Sequence, residues 1–570
     1  MSSLGFQAVY QLANQDDRIA CERVFLPDTR QKGRPNSGAN KIAGLETGLL
    51  LDQFDMILFS ISFENDFLNL ARMLRAAGIP LRSSHRNHIH PLVAAGGVAC
   101  FLNPEPIAPF MDLFLLGEAE CLLTPFFDLF QKVTGAATKK NAKVELLEII
   151  ESKVKGTYVP ARHDPILYTV HRTDESSTKI QPHRIQKAPQ ENGSLSHING
   201  SNQGASNRIP VQYVSDLSDT RTTTAVMTSN TAFKDTFLIE ILKGCPNGCR
   251  FCTAGFIYRP PRVYPTDTIL SALDEAAKKT DRVGLVSSAI LDHPDINNIC
   301  RYGRQKGLTL SFSSLRADKL DDEVISGLAK SNVKTATIAP EAGSSRMRKI
   351  INKKMSRDQI LHAARALVDK GILNIRLYFM IGLPFETRQD VQAIVDLTLD
   401  IKSVFLETSR KKKKIGTITL SINPFIPKPA TPFQWCAMME IPELKKRVDI
   451  IRQGLKKEPN VVLHFESLRQ ARTHALLSLG DRKAADLIEQ ALDQGWNRAM
   501  KSDPEYCHQV IYAPKNTQNT AHLPWDVLYH PISSDFLRKE LHRAQAEKHS
   551  VSCPMKPCTE CGICMPSVVR

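Results

Sequence analysis

Seven of the thirteen cysteines fall into two tight groups, and thiolates at such spacing do metal chemistry. The first group is Cys245-x3-Cys249-x2-Cys252, within Lys243-Gly244-Cys245-Pro246-Asn247-Gly248-Cys249-Arg250-Phe251-Cys252. Three thiolates from one short loop can take three corners of a cubane, with Gly244, Pro246 and Gly248 allowing the tight backbone. The fourth iron is then open to chelate a cofactor or substrate, whereas a fully ligated cluster mainly moves electrons. A zinc site completed by a distant residue, or three unrelated buried thiols, is the alternative, although zinc loops more often pair cysteines as CxxC with a second pair elsewhere. The second group, Cys553, Cys558, Cys561 and Cys564, offers four thiolates in twelve residues and so describes a closed site. It suits a second iron–sulfur cluster, with structural zinc as the alternative.

Cys21, Cys100, Cys121, Cys300, Cys436 and Cys507 have no partner at ligand spacing and read as small buried hydrophobes. His464, His474 and His530 have aromatic or apolar neighbours and read as satisfied core histidines.

The first group directly follows a strand pattern, Phe237 to Leu242, and five more strands follow at Val283–Ser287, Thr309–Ser313, Thr335–Ile338, Ile375–Met380 and Thr417–Ile422. Helical stretches separate them. Six such units predict an incomplete TIM-type (β/α)6 barrel over residues 233–440, with chemistry at the C-terminal strand ends. Residues 1–130 alternate short apolar strands ending at glycines with amphipathic helices, the pattern of an open parallel, Rossmann-like α/β sheet. Residues 131–232 read as a partly disordered linker, polar and rich in Ser, Asn, Thr, Gln and Gly from about 170 onward. Residues 441–548 read as helical, and 549–570 form the cysteine-rich tail.

A hydrophobic share of 42% without a long uninterrupted apolar run describes a soluble chain with no membrane span. With no secretory signal at Met1–Asp16, the expected compartment is the cytoplasm, where clustered thiols bind metals instead of forming disulfides. The net charge of +15 is spread along the chain; its one dense run, Arg410–Lys414, reads as a solvated loop, with an RNA contact as the alternative.

CxxxCxxC with Phe251 just before the third cysteine resembles the signature of the radical S-adenosylmethionine (SAM) superfamily. Further segments are similar: Gly284-Leu285-Val286-Ser287-Ser288, Ser313-Ser314-Leu315-Arg316, Pro340-Glu341-Ala342-Gly343-Ser344-Ser345, and Arg376 through Ile381-Gly382-Leu383-Pro384. The resemblance implies a [4Fe–4S] cluster on Cys245, Cys249 and Cys252, with Ser287, Ser288, Ser314, Arg316, Glu341 and Arg376 contacting SAM. It also implies reductive cleavage of the sulfonium to a 5′-deoxyadenosyl radical, fed by a donor such as flavodoxin or ferredoxin. A salt-bridged rim charge for Arg316 or Glu341, and plain packing for the serines, remain alternatives.

Phe54–Leu81, Gly96-Gly97, Asn103-Pro104-Glu105 and Gly117-Glu118-Ala119-Glu120 resemble a cobalamin-binding-type domain. With Tyr258–Arg262 and Asn423–Pro427, the whole chain is similar to a family of largely uncharacterised fused radical SAM proteins. A DxHxxG histidine is absent, so the fold without cobalamin stands beside the fold with it. The family usually completes one strand before the position where Met1 stands, so the sheet is expected to lack an edge or the start to be misassigned. The expected function is a radical SAM enzyme of unknown substrate, RNA or protein among the options, with methyl or methylthio transfer as an analogy of architecture. Against methylthio transfer, Cys21, Cys100 and Cys121 are dispersed. The competing readings are a non-catalytic zinc or iron–sulfur protein with a structural or RNA-binding role, and a two-cluster electron-transfer protein.

Overall fold

The computed structural model describes residues 3–27, 42–134, 142–168, 208–312, 316–320, 322–330, 333–517 and 522–564. The N-terminal sheet runs β1 (Met56–Ser60), β2 (Leu92–Gly96) and β3 (Leu113–Leu115), all parallel, with β4 (Thr157–Tyr158) antiparallel on β3. Its apolar residues alternate between two cores. Val93, Ala95 and Phe114 face one, and Leu92, Ala94, Leu113 and Leu115 face the other, the period of two that a sheet covered on both faces requires. The sheet extends past the expected boundary at residue 130: helix Ala142–Lys153 and β4 lie in the segment read as a linker. Thr157–Tyr158 is too short to show a strand pattern alone, and Leu146, Ile150 and Val154 are buried in a core shared with Leu113 and Leu115 of β3 and with helix Ala119–Thr134. Residues 169–207 of that linker, and the disorder expected of it, lie outside the described residues.

The chain re-enters with β5 (Ile209–Pro210), and Gln212 bridges to Gly117 at the end of β3. Next come β6 (Phe237–Glu240) and β7 (Leu242–Lys243), the latter paired antiparallel with β8 (Arg262–Val263) across the cysteine loop. β6, β9 (Arg282–Val286) and β10 (Thr309–Phe312) form one parallel sheet. β11 (Thr335–Glu341), β12 (Asn374–Ile381), β13 (Ile418–Pro424) and β14 (Val461–Phe465) form another. Among the described residues no ladder joins the two sheets, so the barrel is open. β14 lies in the region read as helical; Val461–Phe465 is short and pairs along only one edge, on β13. A last short strand, β15 (Leu528–Tyr529), pairs with β5.

Ile375, Leu377, Phe379 and Ile381 are buried against the outer helices, while Arg376 and Tyr378 alternate to the less buried side. Helix Arg388–Lys411 starts at a capping box on Thr387 and ends in the exposed Arg410–Lys414 run. Cations at a helix C-terminus oppose the partial negative charge there.

The N-terminal domain is tied to the rest by buried polar contacts. Asn103 Nδ2 donates to the carbonyls of Ser478 and Gly480, and Glu105 pairs with Arg482 at 2.9 Å while accepting from Tyr158. The Asn103-Pro104-Glu105 motif is therefore a clamp between domains. Glu64 does the same with Lys428 (2.6 Å) and His474 (3.0 Å).

Candidate active site

The cysteine loop is built where two backbones touch. Gly244 has φ +86°, and a Cβ there would sit 2.7 Å from Tyr258 Cβ, so no larger residue fits. Within the loop the Cys252 N–H donates to the Cys249 carbonyl at 3.0 Å. Asn247 Nδ2 donates to Cys245 Sγ (3.6 Å) and to Asp292 Oδ2 (3.1 Å). Cys249 is buried, and Cys245 and Cys252 are partly so. Burial, with the neighbouring Cys249 and Cys245 sulfurs, pushes the Cys252 thiol up to about 12, and burial acts the same way on Cys245. Such thiols become thiolates only when a cation takes their charge.

Arg250 holds the loop in place. Its side chain is fully buried, and its five N–H donors are all engaged: Nε to Glu540, Nη1 to the carbonyls of Lys349 and Ile350, Nη2 to the Lys548 carbonyl and Ser550 Oγ. Asn352 spans the same gap, its Nδ2 donating to the Gly248 carbonyl and its Oδ1 accepting from the Ser550 N–H. Neither role shows in the sequence, because every partner lies at least 99 residues away.

Glu341 ends β11 at a register shift against β12, with φ +66°, a conformation uncommon outside glycine. Lys353 lies 3.4 Å from it. Burial works against the Lys353 ammonium, but Glu341 and the Cys249 and Cys252 sulfurs hold its pKa above the usual lysine value. Arg316 pairs with Asp318 at 2.7 Å, and its charge acts on Cys249. Of the expected SAM contacts, Arg316 is thus paired with Asp318 and Glu341 with Lys353, and both cations feel the charge of Cys249. Ser287 and Ser288 line a cavity that also reaches Gly244, Arg376 is exposed on β12, and Ser314 lies outside the described residues. Nothing in the run Asn352-Lys353-Lys354 marks Lys353 in the sequence, and only its burial in the fold singles it out.

Among the described residues no three His, Cys, Asp or Glu side chains converge on one point. A cubane's ligands each hold a different iron and ring a volume. The donor set fits such a cluster: three thiols on one loop, an amide aimed at one sulfur, and two cations whose charge is coupled to another.

The cavity, about 490 Å³, opens between the C-terminal ends of β1–β3 and those of β6, β7 and β9. Its walls include Ser60, Gly96, Glu118, Lys243, Ser287 and Ser288. At its floor Lys243 Nζ pairs with Glu120 (2.6 Å), and Arg262 with Glu118 (2.6 Å). Burial raises the Glu240 pKa against the pull of Lys243, and Tyr264 donates to that carboxyl. No histidine lines the cavity. A Cβ at Gly97 would meet the Ile61 carbonyl at 2.5 Å, and one at Gly117 the Gln212 carbonyl at 2.1 Å. These glycine turns serve the chain's own close packing. Cys21 and Cys121 pack in one core of the N-terminal sheet and Cys100 in the other, so the three do not form a cluster site.

Residues 5–160 match the family described as radical SAM proteins, N-terminal, and residues 239–398 match the radical SAM superfamily. The uncharacterized protein MJ0966 of Methanocaldococcus jannaschii is 28% identical over 445 residues, covering 77% of this chain and 81% of that one. A tRNA-2-methylthio-N(6)-dimethylallyladenosine synthase of Chlorobium phaeobacteroides is 22% identical over 180 residues, 29% of this chain and 40% of that one. The radical SAM methyltransferase TsrM from Kitasatospora setae, solved with cobalamin and a [4Fe–4S] cluster, aligns over 86% of this chain and 88% of its own at 11% identity and a TM-score of 0.39. The two matched segments, 5–160 and 239–398, together make up more than half of the 570 residues and both are radical SAM, so the protein belongs to the radical S-adenosylmethionine superfamily and is an enzyme that uses a [4Fe–4S] cluster and SAM.

Proposed function

We propose that Cys245, Cys249 and Cys252 hold the [4Fe–4S] cluster, and that the substrate reaches it through the cavity between the N-terminal sheet and the barrel. The cavity carries this reading: Lys243 and Gly244, which lead into the cysteine loop, and Ser287 and Ser288 share its walls with Ser60, Gly96 and Glu118 of the other domain. When bound, the reduced cluster supplies one electron to the SAM sulfonium, giving the radical that takes hydrogen from substrate. The chain's part is to position and to shield. Ser287 and Ser288 offer hydroxyls to SAM at the ends of the first strands, with Arg316, Glu341 and Arg376 around the remainder. Lys353 and Arg316 place positive charge beside Cys249, which favours the more negative, reduced state of the cluster. The Lys243–Glu120 and Arg262–Glu118 pairs fix the two domains around the cavity.

A low-potential one-electron donor of the flavodoxin or ferredoxin class supplies the electron, which suits a reducing compartment such as the cytoplasm. No helix of the described residues is long and apolar enough to cross a membrane. The test is anaerobic reconstitution, reduction with dithionite and chromatography of 5′-deoxyadenosine after SAM is added. Cys249→Ala is expected to abolish release; a variant that still released it would overturn the ligand assignment.

A further inference from the structure

The C-terminal cysteines are anchored to the cysteine loop. The Cys553 N–H donates to the Pro246 carbonyl at 2.8 Å, and Pro246 is the residue after Cys245. The segment leading there is held three times over: by Arg250 on the Lys548 carbonyl and Ser550 Oγ, by Asn352 on the Ser550 N–H, and by Lys354 Nζ on Ser552 Oγ at 3.2 Å. Beyond Cys553 the chain coils back through turns with positive φ at Met555 and Gly562. Cys561 is 5% exposed, Ile563 packs on the main core, and Cys553, Cys558 and Cys564 stay partly accessible. Pro554, Lys556 and Pro557 beside them are exposed.

We propose that Cys553, Cys558, Cys561 and Cys564 bind a second [4Fe–4S] cluster that passes electrons to the cluster on Cys245, Cys249 and Cys252. This rests on the proposed ligand role of those three residues. Four thiolates close the coordination of a cubane, leaving no iron for SAM or substrate and electron transfer as its chemistry. The route is short and continuous: from Cys553 through its N–H to the Pro246 carbonyl, then along one residue of backbone to Cys245. Each group has one buried cysteine, but Pro554, Lys556, Pro557, Thr559 and Glu560 around the tail thiols are exposed while Pro246, Asn247, Gly248 and Arg250 of the loop are buried, so a protein donor meets the tail first. Lys556, Lys349 and Lys354 outnumber the one exposed carboxylate of the tail, Glu560, and give that surface a positive balance suited to an acidic carrier. In each transfer the tail cluster is oxidised by one electron and the loop cluster reduced by one; the acidic one-electron carrier then re-reduces the tail, and no bond forms or breaks.

The experiment uses the full chain, reconstituted anaerobically, with iron and zinc measured and the reduced protein examined by electron paramagnetic resonance. Wild type is expected to hold about eight irons, and Cys558→Ala/Cys561→Ala about half. With dithionite, a small reductant that reaches buried sites directly, the double variant should keep a loop-cluster signal that changes on adding SAM. With reduced flavodoxin as the donor, reduction of that cluster should slow at least tenfold. Stoichiometric zinc in wild type, undiminished iron in the variant, or unslowed reduction by flavodoxin would each overturn the relay. Loss of the SAM-dependent change in wild type would instead overturn the loop assignment. Should the double variant not fold, the fully reduced wild type decides: two neighbouring reduced clusters split each other's signals, and two non-interacting signals, or one, would refute the proposal.

Discussion

Arg250 and Glu540 form an ion pair at 3.0 Å with both side chains out of solvent, 290 residues apart in sequence. It joins the cysteine loop to helix Ser534–Gln545, from which the tail departs. Breaking such a pair strands a buried charge. Arg250→Leu is expected to cost about 3–5 kcal/mol, read as a fall in urea midpoint, and to lower iron retention on gel filtration. Unchanged stability would show that the pair does not hold the loop.

Lys353 stands between Glu341 and the cysteine sulfurs. Lys353→Met removes a positive charge that favours the reduced cluster, so the midpoint potential of the loop cluster is expected to fall. A redox titration followed by electron paramagnetic resonance measures this; an unchanged potential would place the lysine outside the cluster's field.

Ser288 is exposed at the cavity wall. Ser288→Phe is expected to weaken SAM binding at least tenfold with little loss of stability, because the added ring occupies open space. Equilibrium dialysis with SAM on the reconstituted protein gives the number.

His530 Nε2 donates to the Phe101 carbonyl and its Nδ1 accepts from the Tyr213 hydroxyl, and burial lowers its pKa from 6.5 to about 4. The unfolded chain therefore binds a proton that the folded one refuses between those values. Stability from this group is complete above about pH 6.5 and declines as pH falls to about 4, by roughly 3 kcal/mol at most. His530→Gln is expected to flatten that part of the pH profile of the urea midpoint.

Gly117→Ala would place a Cβ 2.1 Å from the Gln212 carbonyl at φ +141°, whereas Gly307→Ala, at φ +76°, meets nothing within 4 Å. The first is expected to lower Tm well beyond the second, whose cost is about 1–2 kcal/mol of left-handed backbone. Equal losses would mean that the strand crossing at Gln212 gives way.

The chemistry was legible in the sequence because it is local. Cys245, Cys249 and Cys252 lie within eight residues, so spacing alone confines their thiols to one loop, and the alternation of strand and helix patterns from Phe237 onward already describes an open barrel. The N-terminal sheet was equally readable from short strands ending at glycines. Long-range pairing was not. Val461–Phe465 becomes a strand because β13 offers it an edge, and Thr157–Tyr158 joins a sheet because β3 does. Arg250 finds its five acceptors and Asn352 its two backbones only once segments 99 to 300 residues apart are packed together, and Lys353 meets Glu341, twelve residues back, only through the helical turn that follows β11. Burial then turns each into an obligation, since a polar group removed from water must find a partner in the fold. The contact of Cys553 with Pro246 is of this kind: composition and spacing gave two separate cysteine groups, and folding made them neighbours.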